Sequence, residues 1–256
     1  MTVRQLFYRL VSIGEVENTH GHYQRVSRVM TKARDDGRCD FDRIVDRSRP
    51  TYAPNVFEDL AGYAYTIKRA YRKDYWAMQP YHVELWVEKD AIIGSIEELT
   101  DELGITVRVG RGFVSTTKVH EIAQIFARIP KPKWVFYLGD FDGDGVFMEH
   151  DQKSRILAYG SGPFEMRRLA IFGDDIKRFN LPPLRVKDGP RSEWFQEHHG
   201  DECVELDALP PTELRRRVRK AVDGVMDREQ WERAVRVEEV EIASIQSAVE
   251  QWGLRA

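Results

Sequence analysis

Three aspartates at alternate positions follow a short apolar run in the stretch Lys133–Gly145, KWVFYLGDFDGDG. Asp140, Asp142 and Asp144 crowd negative charge into a few residues, and a hard divalent cation would relieve that charge. The residues before them are apolar, β-branched or aromatic, which predicts a buried strand. The pattern therefore predicts cation binding at the end of a strand.

Two kinds of cation site are compatible with these letters. Taken as a loop, Asp140, Asp142, Asp144, Gly145 and Asp151 fall at positions 1, 3, 5, 6 and 12 of the EF-hand calcium pattern, with Asp in place of the usual final Glu. An EF-hand loop must follow a helix, however. Here two prolines and a strand-like run precede the acids, so the sequence favours a site in an α/β unit instead.

A second strand of the same kind is predicted over Tyr81–Val87, ending in Glu88 and followed by a helix over Ala91–Leu103. In a parallel sheet both strands end at one edge. Glu88, Asp140 and Asp142 would then converge on Mg²⁺. The alternative is that each acid solvates a loop or caps a helix.

These residues carry a family resemblance. VEKDAI at Glu88 and GDFDGDG at Asp140 resemble the Glu and Asp-x-Asp motifs of Toprim domains, and most resemble the topoisomerase VI A subunit with its meiotic double-strand-break relative. The resemblance implies Glu88 as a catalytic and metal-binding residue, with Asp140 and Asp142 as metal ligands. Asp144 is a further ligand candidate that departs from the family pattern, in which proline usually follows the second acid.

The same resemblance extends to the N-terminus, TVRQLFYRLV, where Arg4, Phe7 and Tyr8 match the family's Arg-x-x-aromatic-Tyr pattern. It implies that Tyr8 is a nucleophile and that Arg4 is a catalytic residue. A phenol is a poor nucleophile at neutral pH, so it needs a metal or a basic neighbour. Arg4 is such a basic neighbour, one helical turn away. Without the resemblance, Tyr8 would be a packing residue of an amphipathic helix.

A helix-turn-helix with a wing is predicted over residues 19–49. A helix over His22–Asp35 places Arg25, Arg28 and Lys32 on one face, Gly37 ends it, and Phe41–Asp46 is predicted to be extended. That face suits DNA phosphates, or it is simply a solvated helix surface. Four further cations are DNA-binding candidates: Arg9, Lys89, Arg111 and Lys187.

The later part of the chain resembles the free-standing Mini-A group of bacterial and phage proteins, in which a Lys and Asp pair and an E-L-D-A-L segment recur. Here they are Lys187 with Asp188 and residues 205–209. The predicted fold is α/β, with an N-terminal winged-helix (CAP-like) domain at residues 1–75. A Toprim domain with a parallel sheet flanked by helices, and a helical C-terminal extension, follow at residues 76–256.

Charge and composition bound the function loosely. The chain has a net charge of −3, yet residues 1–50 carry ten Lys and Arg against seven Asp and Glu, about +3. The basicity of this segment is local, whereas dedicated DNA-binding proteins often have a strongly basic domain, so the overall composition is mild evidence against DNA binding. Two distant cysteines indicate neither a disulfide framework nor a zinc site, and no apolar run is long enough for a membrane span. We expect a cytoplasmic, DNA-associated protein without membrane contact.

Together these features predict Mg²⁺-dependent cleavage of double-stranded DNA, with Mn²⁺ or Ca²⁺ as possible substitutes. By the resemblance, Tyr8 forms a 5′-phosphotyrosyl link in a homodimer in which Tyr8 of one protomer meets the metal site of the other. No G-x-x-x-x-G-K-S/T pattern occurs, so no ATP site is expected and any ATPase would be a separate partner. The alternatives are a hydrolytic nuclease that does not use Tyr8, and a non-enzymatic winged-helix protein with a structural Ca²⁺ or Mg²⁺ site.

Overall fold

A computed structural model describes residues 2–44, 54, 56–110, 114–186 and 189–253. In these residues the helices are α1 (Val3–Ser12), α2 (His20–Asp35), α3 (Leu60–Ala70), α4 (Ile93–Leu103), α5 (Thr116–Arg128), α6 (Gly143–Ala158), α7 (Gly173–Arg178), α8 (Ser192–His199), α9 (Pro211–Asp223) and α10 (Arg228–Gly253). The strands are β1 (His82–Val87), β2 (Thr106–Val109), β3 (Lys133–Leu138), β4 (Glu165–Ala170), β5 (Leu184–Arg185) and β6 (Glu202–Cys203). Short 3₁₀ turns span Phe41–Arg43, Asp90–Ile92 and Leu206–Ala208.

The centre of the fold is a four-stranded parallel sheet in the order β2-β1-β3-β4. Helices follow the strands in alternation, as α4 after β1, α5 after β2 and α6 after β3. Val87 pairs with Leu138, so β1 and β3 end side by side. The prediction of an α/β fold with a parallel sheet flanked by helices is confirmed.

The apolar run before the aspartates forms β3, an inner strand of the sheet, and it is buried along nearly its whole length. Val135, Phe136, Tyr137 and Leu138 are each at most 1% exposed, as expected for a strand covered on both faces. α5 covers one face with a helical stripe of apolar residues that includes Val119, Ile122, Ala123 and Phe126. This packing fixes where β3 ends, and with it the position of the acids that follow.

A small antiparallel pair of strands, β5 with β6, lies later in the chain. Just after β6, Val204 forms an antiparallel bridge with Phe141, in which each backbone N–H donates to the other's carbonyl at 3.0 Å. The bridge brings the E-L-D-A-L segment against the loop that follows β3.

The described chain packs as two compact units, residues 1–49 with 82–224, and residues 50–81 with 225–256. The predicted domains divide the chain elsewhere, at residues 75/76, so α1 and α2 share a unit with the sheet. In the second unit, the Tyr75 ring packs edge-on against Trp231 with centroids 4.6 Å apart. Lys73 in this unit also forms an ion pair with Glu241 at 3.0 Å.

The predicted winged helix is described only in part. α1 and α2 are helical, and Thr19 caps α2 by accepting the backbone N–H of His22. Phe41–Arg43 forms a 3₁₀ turn, so the predicted extended segment is wrong over those residues. Residues 45–53, which include the end of the predicted extended segment and the rest of the predicted winged helix, lie outside the described residues, and the winged-helix assignment stays a prediction. No helix in the described part of the chain is both long and apolar enough to cross a bilayer.

Candidate functional site

Glu88 and Asp140 meet at the carboxyl edge of the sheet. The backbone N–H of Asp140 donates to Glu88 Oε2 at 2.9 Å, and the Glu88 N–H donates to the Leu138 carbonyl at 2.9 Å. Both acids are buried, at 9% and 6% exposure. The structure thus brings together two predicted site residues that are 52 positions apart in sequence.

The loop between β3 and α6 is held tightly. Asp142 caps α6, where its Oδ1 accepts the Gly145 N–H at 2.7 Å. A Cβ at Gly145 would lie 2.4 Å from the Asp140 carbonyl oxygen, so only glycine fits this approach. The Arg168 guanidinium donates to the carbonyls of Gly139 and Asp140, both at 2.9 Å. Asp142 therefore has a capping role whether or not it binds a metal.

Asp144 lies apart from the other predicted ligands. Its side chain is 64% exposed and its Oδ1 accepts from Arg191 at 2.6 Å. The Arg191 guanidinium also lies over the Phe147 ring, 4.3 Å from its centroid. An open cavity of about 350 Å³ adjoins this side of the site. Asp142, Asp144, Arg185, Arg191 and Glu205 are among its lining residues.

Two acids that sequence reasoning did not select complete the cluster. The 3₁₀ turn Leu206–Ala208 lies against Asp140, whose Oδ1 accepts the Leu206 N–H at 2.8 Å. This contact places Glu205 and Asp207 beside the sheet edge. The one signal for them in the sequence is the recurring E-L-D-A-L segment, which carries no indication of its chemistry.

Lys89 lies among these acids. Its Nζ is 2.6 Å from Asp140 Oδ2, 3.3 Å from Glu205 Oε2 and 4.0 Å from Asp207 Oδ2. Burial works against its charge, but the carboxylates, Asp140 first, raise the pKa of Lys89 above its ordinary value. The residue predicted to contact DNA is thus held as an internal counter-ion, with its side chain 24% exposed.

Arg4 and Tyr8 join the same cluster from α1. Arg4 donates twice to Glu205, at 2.9 and 2.7 Å, and the Tyr8 phenol neighbours both groups. Tyr8 is 6% exposed. Burial, helped by the Glu205 charge and opposed by Arg4, raises the pKa of Tyr8 to about 12. Tyr8 is therefore connected to Asp140 through Glu205 and Lys89 within one chain.

The acids carry more negative charge than their neighbours compensate. Burial first, and then the charge of Asp140, raises the pKa of Glu88. Burial likewise raises the pKa of Asp142, and it raises that of Asp207 to about 6 although Lys89 and Arg4 oppose the change. For Glu205 the balance is reversed, because Lys89 and Arg4 outweigh burial and lower its pKa.

The donor chemistry of the cluster fits a hard divalent cation. Five carboxylates, those of Glu88, Asp140, Asp142, Glu205 and Asp207, accompany two cationic side chains, Lys89 and Arg4, which leaves a surplus of three negative charges when all five are ionised. In addition, both oxygens of Asp207 are buried, and neither has a hydrogen-bond partner among the residues that the structure describes. Oxygen-only ligands of this kind are those that Mg²⁺ prefers.

The carboxylates of Glu88, Asp140 and Asp142 do not converge on one point in the way that the sequence predicted. Within the described ranges, no three His, Cys, Asp or Glu side chains form a group that could already hold a metal ion. The physical reason is that Lys89 and backbone N–H groups engage the oxygens that would face a cation. A cation at Asp140 Oδ2 would therefore compete with the Lys89 ammonium.

The other predicted DNA-binding residues lie on the surface or outside the described chain. Arg9 on α1, and Arg25, Arg28 and Lys32 on α2, are exposed. Arg111 and Lys187 fall outside the described residues.

Comparisons of the chain with protein families, with curated proteins and with solved structures give no match. The resemblance to topoisomerase VI A subunits therefore remains a prediction that is based on the quoted motifs.

Proposed function

We propose that this protein cleaves DNA phosphodiester bonds with the help of a divalent cation, Mg²⁺ in the first place, and that water is the nucleophile. The observation that carries the proposal is the hydrogen bond that joins Glu88 to Asp140 at the ends of β1 and β3. This edge is where parallel α/β sheets gather ligands. The acids there have a charge surplus that a cation would compensate, and two acids of the cluster, Asp142 and Glu205, line an open cavity.

In the proposed reaction, water attacks phosphorus, one P–O ester bond breaks, and the leaving oxygen takes up a proton from solvent. A bound Mg²⁺ would supply electrostatic stabilisation of the charge that develops on the phosphate oxygens. Glu88, Asp140 and Asp142 would hold it, with Asp140 kept in place by the Leu206 N–H. Glu88 accepts the proton that the attacking water releases.

Tyrosine transesterification is the second candidate. It is favoured by the position of Tyr8, which neighbours Arg4 and Glu205 in the same charged cluster. The burial of the phenol and the rise of its pKa to about 12 make Tyr8 a weak nucleophile in this arrangement, so we place hydrolysis first. In the dimer that the resemblance implies, Tyr8 would have to leave this position to reach the metal site of another protomer.

Double-stranded DNA is the proposed substrate because a basic surface accompanies the acids. Arg25, Arg28 and Lys32 are exposed on α2, in the same compact unit as the sheet. Such a face suits phosphate contacts, and the winged helix that the resemblance implies would orient them. The homodimer and the separate ATPase partner that the resemblance implies belong to the second candidate, tyrosine transesterification.

The decisive experiment is to incubate the full chain with supercoiled plasmid and Mg²⁺ or Mn²⁺, and then to denature the protein and analyse the DNA with and without protease. We expect nicked or linear DNA with free ends. Asp140→Asn should lower the cleavage rate at least about 100-fold, because it removes a ligand charge. Asp101→Asn, on an exposed aspartate of α4, is the matched control and should cut normally.

Tyr8→Phe separates the two candidates. If water is the nucleophile, this variant cuts at nearly the wild-type rate and no protein remains on the DNA. Protein attached to 5′ ends, together with loss of cleavage in Tyr8→Phe, would instead establish transesterification. DNA binding without cleavage in either metal would leave only the non-enzymatic alternative.

A further inference from the structure

Asp207 is the least compensated buried carboxylate of the cluster. Its side chain is 1% exposed, and neither oxygen has a hydrogen-bond partner within the described part of the chain. The nearest cationic atoms are Arg4 Nε at 3.7 Å and Lys89 Nζ at 4.0 Å, both beyond hydrogen-bond distance. Buried polar side chains normally have a hydrogen-bond partner, and an exception requires an explanation such as strain, a catalytic role, a water molecule or an ion.

The turn that carries Asp207 places it next to the predicted cation site. Leu206, its chain neighbour, donates to Asp140 Oδ1 at 2.8 Å. Asp207 and Asp140 approach the same ammonium group, Lys89 Nζ. The turn, the end of β1 and the loop after β3 therefore each supply a charged group to one point.

We propose that Asp207 is an additional ligand of the divalent-cation site and that the Lys89 ammonium is the resident counter-ion that the cation displaces. This inference rests on the cation of the proposed function, but it assigns roles that the Glu and Asp-x-Asp motifs do not. Lys89 neutralises Asp140 and Glu205 while the cation is absent. When the cation displaces Lys89, the cation becomes the electrostatic partner that Asp207 lacks.

A purely structural role makes a different prediction. If Asp207 were held only by its attraction to Arg4 and Lys89, replacing it with the isosteric amide would remove that attraction and weaken the fold. If Asp207 instead awaits a cation, the amide removes a buried, unpartnered charge, and the metal-free protein keeps or gains stability. The sign of the change in metal-free stability therefore distinguishes the two roles.

The test measures binding of Mg²⁺ and Mn²⁺ to the full chain by titration calorimetry, together with thermal unfolding in EDTA and in excess metal. We expect Asp207→Asn to lower cation affinity about 10- to 100-fold, the range seen for residues that support a metal site. Its melting temperature in EDTA should equal or exceed that of the wild type. Asp101→Asn on α4 is again the matched control and should bind the metals normally.

Lys89→Met tests the displacement. Removing a unit positive charge that competes about 4 Å from a divalent cation should raise affinity roughly 30-fold, since the repulsion is twice that of two unit charges in water. Unchanged affinity in Asp207→Asn, or a lower melting temperature in EDTA, would overturn the ligand role, and weaker cation binding in Lys89→Met would overturn the displacement. These results are independent of DNA cleavage, since a protein that binds the cation through Asp207 but never cuts DNA would refute the proposed function alone.

Discussion

Buried carboxylates of this chain differ, residue by residue, in how their charge is compensated. Glu84, in the middle of β1, is 1% exposed but accepts two bonds from Arg108, at 2.6 and 2.8 Å, and one from Trp86 Nε1 at 2.8 Å. The Asp207 side chain is also 1% exposed, but it accepts no hydrogen bond from any residue in the described ranges. Full compensation is typical of a structural ion pair. The lack of compensation at Asp207 is consistent with the divalent cation proposed above.

The compensation of Glu84 predicts a pH-dependent stability. Burial would raise its pKa, but the bonds from His82 and Arg108 lower it from 4.5 to about 2. A lowered pKa in the folded state means that the carboxylate stabilises the protein fully above about pH 4.5, and that this stability is lost as the pH falls towards 2. The shift corresponds to about 3 kcal/mol. As the pH falls from 7 towards 2, the free energy of unfolding, measured with urea, should decrease more for the wild type than for Glu84→Gln. We expect the difference between the two decreases to equal this amount.

The same substitution should cost about 3 kcal/mol or more at pH 7, because it leaves Arg108 without its charged partner. Glu121→Gln, at an exposed ion pair with Lys118, serves as control and should change stability by less than about 1 kcal/mol. A difference between wild type and Glu84→Gln that stays constant from pH 7 to pH 3 would contradict the argument.

At the scale of elements, the loop between β3 and α6 depends on β4. Arg168 donates to the carbonyls of Gly139, Asp140 and Gly145, and its Nε donates to Glu149 on α6. Its side chain is only 9% exposed. One guanidinium therefore fixes the backbone that carries Asp140, although β4 contributes no acid to the site.

Arg168→Met should loosen this loop while keeping the aliphatic volume of the side chain. Losing several charge-assisted bonds to buried carbonyls should lower the free energy of unfolding by about 3 kcal/mol. It should also increase hydrogen exchange at residues 140–145 more than elsewhere in the sheet. Arg167→Met, at the exposed neighbouring position of β4, is the matched control and should leave both measurements unchanged. Uniform exchange changes across the sheet would count against a specific role of Arg168.

The elements that sequence reasoning predicted well are those with a clear periodic or apolar signal. β1 was predicted over Tyr81–Val87 and spans His82–Val87, and the run before Asp140 is β3 as predicted. The acids at their ends could be predicted because parallel strands finish at one edge. Glu205 and Asp207 could not, since they arrive through a long-range bridge between Phe141 and Val204 that leaves no periodicity. The 3₁₀ turn at Phe41–Arg43 is likewise too short to have a pattern.

At the scale of the whole molecule, opposite charges are concentrated in different places. The chain has a net charge of −3, while the acids at the sheet edge exceed their cationic neighbours and residues 1–50 carry about +3. DNA is repelled by an uncompensated acidic site and attracted by exposed arginine and lysine. Binding should therefore depend on the basic face of α2, with the divalent cation reducing repulsion at the acids.

This distribution predicts the salt dependence of DNA binding. Each phosphate neutralised on duplex DNA contributes about −0.9 to the slope of log K against log salt concentration. Replacing Arg25, Arg28 and Lys32 together with Gln should lower DNA affinity and make the slope shallower by roughly 2 to 3. Fluorescence anisotropy with a labelled duplex in Ca²⁺ buffer measures both quantities.

Neutralising Arg216, Arg219 and Lys220 on α9 should change the slope less, because Glu213 and Glu102 already pair with the two arginines. Equal slopes for the two triple variants would show that α2 is not the DNA-binding face.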